Sequence, residues 1–222
     1  VLIKRLEWRG HSAIVTPVGL GDDFVAEDYD LCYLGGGQDK DQNTIAEDLI
    51  KKGAAIRSAA NNGVAFLWVC GGIQLAGHAY IDSDGNHLPG VGILDLETYA
   101  GDKRLIGNVV AEADFDKYRF PIVGYENHIG RTMLGSDVRP LAKIVEGYGN
   151  NGTSAEEGAI QQRVIGTYLH GPLLPKNPDL ADVLLTWSLE HREGKKISLE
   201  PLTDPYTEAA RAVTLRRSNA KR

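Results

Sequence analysis

Residues 64–78 read VAFLWVCGGIQLAGH. Six apolar residues in a row, rich in β-branched and aromatic types, predict a short strand buried on both faces, as in a parallel sheet. Ile73, Leu75, Ala76 and Ala79 then continue as a helix-forming segment, so Cys70 falls on a strand-to-helix turn. The glycines at 71 and 72 remove side-chain clashes and let other backbone come close. A sharp turn of this kind lifts a nucleophile above the sheet edge, and the next main-chain N–H, that of Gly71, helps form an oxyanion hole. The helix N-terminus behind the sulfur favours thiolate, the reactive form. Taken alone, a cysteine after an apolar strand is more often a buried small hydrophobe. The flanking glycines, and a second glycine stretch, tip the balance towards chemistry.

That second stretch is Gly35-Gly36-Gly37, which follows a strand expected over 29–34 (YDLCYL). The run lacks the GxxxxGK[ST] spacing of a P-loop. Two strand ends side by side above a parallel sheet are where such sites form. The preferred reading is therefore the other half of an oxyanion hole, from Gly36 or Gly37.

The remaining elements fit a doubly wound arrangement. Residues 1–8 read as a helix with Leu2, Ile3 and Leu6 on one face, stopped by Gly10. Such a protein ordinarily opens on a strand, so the chain is expected to lack an N-terminal strand. Residues 12–18 (SAIVTPV) are expected as a strand and 19–29 as an acidic loop. Residues 42–61 form a long helix with Ile45, Leu49, Ala54 and Ile56 on its inner face, ended at Asn62-Gly63. Strand-like runs at 104–110, 120–125, 142–146 and 159–169 follow without a long helix between them. They predict a meander on the sheet edge or a mixed extension of the sheet. Helices return at 178–190, with Pro178 in the first turn, and from Pro205 to Arg216. The fold class is thus α/β, a mostly parallel sheet with helices on both faces and a strand-rich C-terminal half, in a single domain over 1–222.

Charge and composition narrow the partners. The net charge is −6 over 222 residues with no basic stripe, which argues against nucleic acid. No apolar run reaches membrane-spanning length and no signal peptide is visible. Cys32 and Cys70 are widely spaced, as suits a reducing, cytoplasmic compartment rather than a disulfide framework. Asp82 and Asp84 faintly imitate a calcium loop, but the twelfth-position glutamate is missing, so no metal site is expected.

A nucleophilic cysteine needs a base near it in space. Of the six histidines, His11 and His87 fall in turns, His191 at a helix end, and His78 inside the helix after Cys70. His170 and His128 each follow a strand. His170 is the candidate base and His128 a substrate-site residue.

With these features the chain resembles the class I glutamine amidotransferases of the cobyric-acid-synthase type. Within them it is similar to the glutaminase subunits of lipid II isoglutaminyl synthases. The resemblance is carried by Leu34-Gly-Gly-Gly-Gln-Asp39, the elbow from Cys70 to His78 and Gly90-Val-Gly-Ile-Leu-Asp-Leu-Glu-Thr98. Gly124-Tyr-Glu-Asn-His-Ile-Gly-Arg131 and His170-Gly-Pro-Leu-Leu-Pro-Lys-Asn-Pro178 complete it. It implies that Cys70 attacks the side-chain amide of L-glutamine and that His170 protonates the departing ammonia, then activates water. Gln74 and Asn127 with His128 match glutamine-contacting positions. Arg104 is a candidate clamp for the substrate carboxylate, a solvated strand-end arginine being the alternative. Many class I enzymes carry a glutamate two residues after the histidine, where this chain has Pro172. The third triad member must then be dispensable, or come from elsewhere in the chain, with Glu126 a weak candidate, or from a partner. No ATP site is visible. The resemblance implies a separate Mur-ligase-like synthetase subunit, with ATP and magnesium bound there. That partner would use the ammonia to amidate the α-carboxyl of D-glutamate in lipid II, which this chain would meet only through it. A glutaminase for corrinoid amidation, an inactive binding subunit and a general cysteine hydrolase are the competing readings.

Overall fold

The computed structural model describes residues 1–36, 42–170 and 172–219. Four short strands form the first sheet: β1 (Leu31–Leu34), β2 (Ala65–Val69), β9 (Ala159–Gln161) and β10 (Val164–Thr167), in the order β1-β2-β10-β9. β1, β2 and β10 run parallel, and β9 closes the edge antiparallel to β10. All five residues of β2 are buried, as its unbroken apolar sequence requires of a central strand.

Period-two alternation splits β2 between two cores. Phe66 and Trp68 point into one, with Ala46, Leu49 and Ile56 of α2 (Gln42–Asn61). Ala65, Leu67 and Val69 point into the other, with Leu180, Val183, Leu184 and Trp187 of α5 (Pro178–Glu193). Helices therefore cover both faces of the sheet, as expected, and α2 has the predicted limits. Its inner face is turned from the expected one: Ala54 is exposed and Ala59 and Ala60 are buried instead.

The strand-rich half builds a sheet of its own. β3 (Ala79–Ile81), β4 (His87–Pro89), β5 (Leu96–Phe115), β6 (Tyr118–Leu134), β7 (Ala142–Glu146) and β8 (Glu156–Glu157) make six strands, with β6 paired along nearly the whole of β5. The hairpin β5–β6 replaces the two shorter runs expected there. The two sheets meet through main-chain bridges Tyr125–His170 and Arg139–Ile160.

Three local expectations fail for identifiable reasons. Residues 12–18 form no strand: Ile14 is 96% exposed, and among the described residues no strand lies alongside to complete a ladder. In α1 (Leu2–Glu7) Ile3 is exposed, while Arg5 is buried because Asp182 of α5 accepts its Nε and Nη2 at 2.7 and 2.6 Å. The elbow helix α3 (Gly71–Ala76) ends before His78, whose Nε2 lies 3.0 Å from Asp95 Oδ1. α4 (Leu173–Lys176) and α6 (Pro205–Asn219) complete the chain. α6 is tied to the body by Arg211, which donates to Asp179 at 2.6 Å and to the Pro121 carbonyl.

Candidate active site

Cys70 stands at the carboxyl end of β2 with φ 54° and ψ −113°, a backbone conformation that L-residues rarely adopt. Its main-chain N–H donates to Thr167 O at 2.8 Å, and its carbonyl accepts Ile73 N at 3.1 Å. The elbow is thus fastened to the neighbouring parallel strand on one side and to the first turn of α3 on the other. Two glycines let other chain segments press against it. A Cβ on Gly36 would lie 3.0 Å from Cys70 Cβ, and one on Gly72 would meet Leu34 O at 2.9 Å. The end of β1 therefore lies beside Cys70.

A cleft of about 330 Å³ opens over the sulfur. Cys70, Gly36, Gly71, Gln74, Arg104, Asn127, His128 and His170 all line it, together with Tyr33, Val69 and Ile129. Residues more than a hundred positions apart along the chain are thereby gathered in one place. Gly37 lies outside the described residues.

His170 follows β10, the strand beside β2, and exchanges main-chain hydrogen bonds with Tyr125 of β6 at 2.9 and 3.2 Å. The Tyr125 ring meets its imidazole edge-on at 5.7 Å. Burial first, and then the His128 imidazole, hold the His170 pKa below the ordinary histidine value, with the Asn127 main chain acting in the opposite direction. Among the described residues its buried Nε2 has no hydrogen-bond partner. A neutral imidazole with one unengaged nitrogen in a cleft is the form a general base takes.

The far wall of the cleft comes from β5 and β6. The β5–β6 register shifts between Ala100 and Leu105, and Arg104 sits at that irregularity. Its Nε donates to Asn127 Oδ1 at 2.8 Å and its Nη2 to Asn127 O at 3.3 Å. The exposed guanidinium therefore stands at the cleft rim on a fixed support. His128 is only 2% exposed; its Nδ1 must donate to the Gly130 carbonyl at 2.9 Å, and its ring stacks on Tyr168 at 3.6 Å. Gln74 is buried and donates from Nε2 to the Tyr168 hydroxyl at 3.3 Å, which also bonds Thr132 Oγ1 at 2.7 Å.

Glu126 does not serve as orienter of His170. Its fully buried carboxylate accepts Tyr148 N and Gly149 N at 2.7 and 2.9 Å and faces His128 Nε2 at 3.5 Å. Strand alternation explains this: Glu126 and His128 share the inner face of β6, while Tyr125 and Asn127 turn towards His170 and Arg104. Sequence reasoning missed Tyr33 and Ile129, which line the cleft, and Tyr168, which stacks on His128. Tyr168 sits two residues before His170 in what reads as plain apolar strand. Tyr33 sits in another such strand yet is 61% exposed at the rim.

Comparison with known proteins agrees with this geometry. Residues 4–178 match the model of the CobB/CobQ-like glutamine amidotransferase domain. The lipid II isoglutaminyl synthase (glutamine-hydrolyzing) subunit GatD of Streptococcus pneumoniae is 38% identical over 88% of this chain and 75% of its own length. The protein of the same name from Staphylococcus aureus is 34% identical over the whole of this chain and 88% of its own. Cobyric acid synthase of Pelotomaculum thermopropionicum is 36% identical over 64% of this chain, but over 29% of that much longer protein. A solved glutamine amidotransferase, 17% identical, superposes with a TM-score of 0.55 over 83% of this chain and 90% of its own, which shows the shared fold. The chain belongs to the CobB/CobQ-like glutamine amidotransferases.

Proposed function

We propose that this chain is the glutamine-hydrolysing subunit of a two-subunit amidotransferase. The observation that carries the reading is the shared cleft of Cys70, His170, Gly36 and Gly71. The Cys70 thiolate attacks the side-chain carbonyl carbon of L-glutamine. The oxyanion is held by the Gly71 main-chain N–H and one from the Gly36-Gly37 stretch, each donor contributing about 3 kcal/mol. His170, which took the Cys70 thiol proton as the thiolate formed, passes that proton to the amide nitrogen, ammonia leaves, and a thioester remains on Cys70. His170 then takes a proton from water, which attacks the thioester and releases glutamate. Arg104 binds the substrate carboxylate, with Gln74, Asn127 and His128 lining the pocket.

The ammonia goes to a separate Mur-ligase-like synthetase that binds ATP and magnesium and acts in the cytoplasm. It amidates the α-carboxyl of D-glutamate in the lipid II stem peptide to D-isoglutamine. This destination is supported by the two GatD relatives, whose names carry that activity. Similarity to cobyric acid synthases favours a second destination, corrinoid side-chain amidation. In this reading lipid II is met only through the partner; no helix among the described residues is long and apolar enough to cross a membrane. The test is glutamate release from glutamine by wild type and Cys70→Ala, then glutamine-dependent amidation of lipid II with the synthetase added. Release that survives Cys70→Ala refutes the catalytic assignment. Release without lipid II amidation refutes the destination.

A further inference from the structure

Glu157 ends β8, and its side chain is completely buried. A carboxyl in such a place is expensive, and the chemistry of Cys70 and His170 makes no use of it. Its Oε1 accepts the Thr167 hydroxyl and, at 3.2 Å, the Tyr168 main-chain N–H; among the described residues its Oε2 has no hydrogen-bond partner. Thr167 is the residue on which the two halves of the site converge. Its carbonyl accepts the Cys70 N–H at 2.8 Å, its hydroxyl accepts Leu169 N at 3.0 Å while donating to Glu157, and His170 follows three residues later. Any shift of residues 167–169 would move the elbow and the base relative to one another. An apolar residue of similar volume would fill the space at lower cost, so the carboxyl is explained by what it holds.

We propose that Glu157 is a positioning residue: its carboxyl clamps residues 167–169 and so fixes the Cys70 sulfur against the His170 imidazole. The proposal rests on the glutaminase reading of the cleft. Burial, followed by the nearby Glu126 charge, raises the Glu157 pKa to about 7. A neutral acid that accepts two hydrogen bonds is closely imitated by glutamine.

The experiment compares full-length Glu157→Ala, Glu157→Gln and Thr167→Val by two readouts. One is the kinetics of glutamate release. The other is the rate of Cys70 alkylation by iodoacetamide, followed on the Cys70 peptide by mass spectrometry. Glu157→Ala is expected to lower kcat roughly 10- to 100-fold, as misplacement of a catalytic group by a remote change does, with KM within about 3-fold. It slows alkylation in parallel, and Glu157→Gln recovers most of both. Thr167→Val reproduces the loss and answers the question should Glu157→Ala not fold. The proposal is overturned by wild-type kcat and alkylation in Thr167→Val, by a change confined to KM, or by Glu157→Gln as impaired as Glu157→Ala. Should wild type release no glutamate while alkylation still slows in the variants, the glutaminase reading falls and the positioning role stands. Release by wild type, matched in both readouts by the variants, has the opposite meaning.

Discussion

Replacing Glu157 by glutamine should change how the stability of this protein depends on pH, in a direction opposite to ordinary acid denaturation. The carboxyl has an ordinary pKa of 4.5 when the chain is unfolded and about 7 when it is folded and buried. Below pH 4.5 both states hold the proton and the group contributes no difference. Between 4.5 and 7 the unfolded chain loses its proton while the folded one keeps it, so the folded state binds more protons and stability falls as pH rises. Above 7 the loss is complete and amounts to about 3 kcal/mol. Glutamine cannot ionise and suffers none of it. Asp48, Asp95, Asp182 and Asp204 have pKa values held down by their hydrogen-bond and ion-pair partners and weaken the fold on the acid side. They are common to both proteins and cancel in the difference. Urea titrations followed by the fluorescence of buried Trp68 and Trp187, at pH 5 and pH 8, measure the effect. The advantage of Glu157→Gln over wild type should grow by about 2.5 kcal/mol between the ends of that range, since at pH 5 a small part of the loss has already occurred. A difference that stays constant with pH would show that Glu157 ionises freely in the folded protein, and the account of its burial would be wrong.

Three further outcomes follow from the same geometry. His170 has its pKa lowered by burial and then by His128, so the acid limb of kcat/KM should lie below the ordinary histidine value; His128→Asn should move it upward, and an unmoved limb would remove His128 from the electrostatics of the base. Arg104→Ala should raise KM for glutamine by 10-fold or more, about 1.4 kcal/mol or above, with a smaller effect on kcat, since the guanidinium stands at the rim rather than over the sulfur. Asn177 is completely buried, accepts Val123 N at 2.8 Å and donates to Val123 O and Leu173 O at 2.7 and 2.8 Å; Asn177→Ala leaves those groups unpaired and should cost about 3 kcal/mol or more in urea unfolding.

The parts of the molecule legible in its sequence are those in which local pattern and tertiary environment agree. The run 64–69 is apolar without a break because both faces of β2 are covered, and the change of period at Cys70 marks the elbow. The helix 42–61 carries its own stop at Asn62-Gly63. Segment 12–18 has strand-forming residues but no ladder partner among the described residues, and propensity without pairing does not make a strand. Glu157 was invisible for a different reason. The pair Glu156-Glu157 before Gly158 reads as a solvent-facing turn, and the burial of Glu157 depends on Thr167 and Tyr168, which reach it only once the sheet that holds β8 has met the sheet that holds β10. Arg5 is the same case, a charged residue made internal by Asp182, which lies 177 positions away.

The two sheets divide the work of the site. The first carries Cys70 and His170, the proposed reacting groups: the register pairs Val69 with Thr167, so the elbow after β2 and the arm after β10 leave the sheet at neighbouring points, and the two residues are set by a parallel ladder. The second sheet carries Arg104, Asn127 and His128, which line the same cleft and are proposed to bind the rest of the substrate. A gap between two such bodies would let the binding wall drift from the chemistry. The Tyr125–His170 bridge closes it, because Tyr125, whose main chain holds His170, lies two residues before Asn127 on β6, and Asn127 holds Arg104. If Arg104 holds the substrate carboxylate as proposed, that contact would load the strand to which His170 is hydrogen-bonded, so that capture and orientation of the imidazole would share one mechanical link.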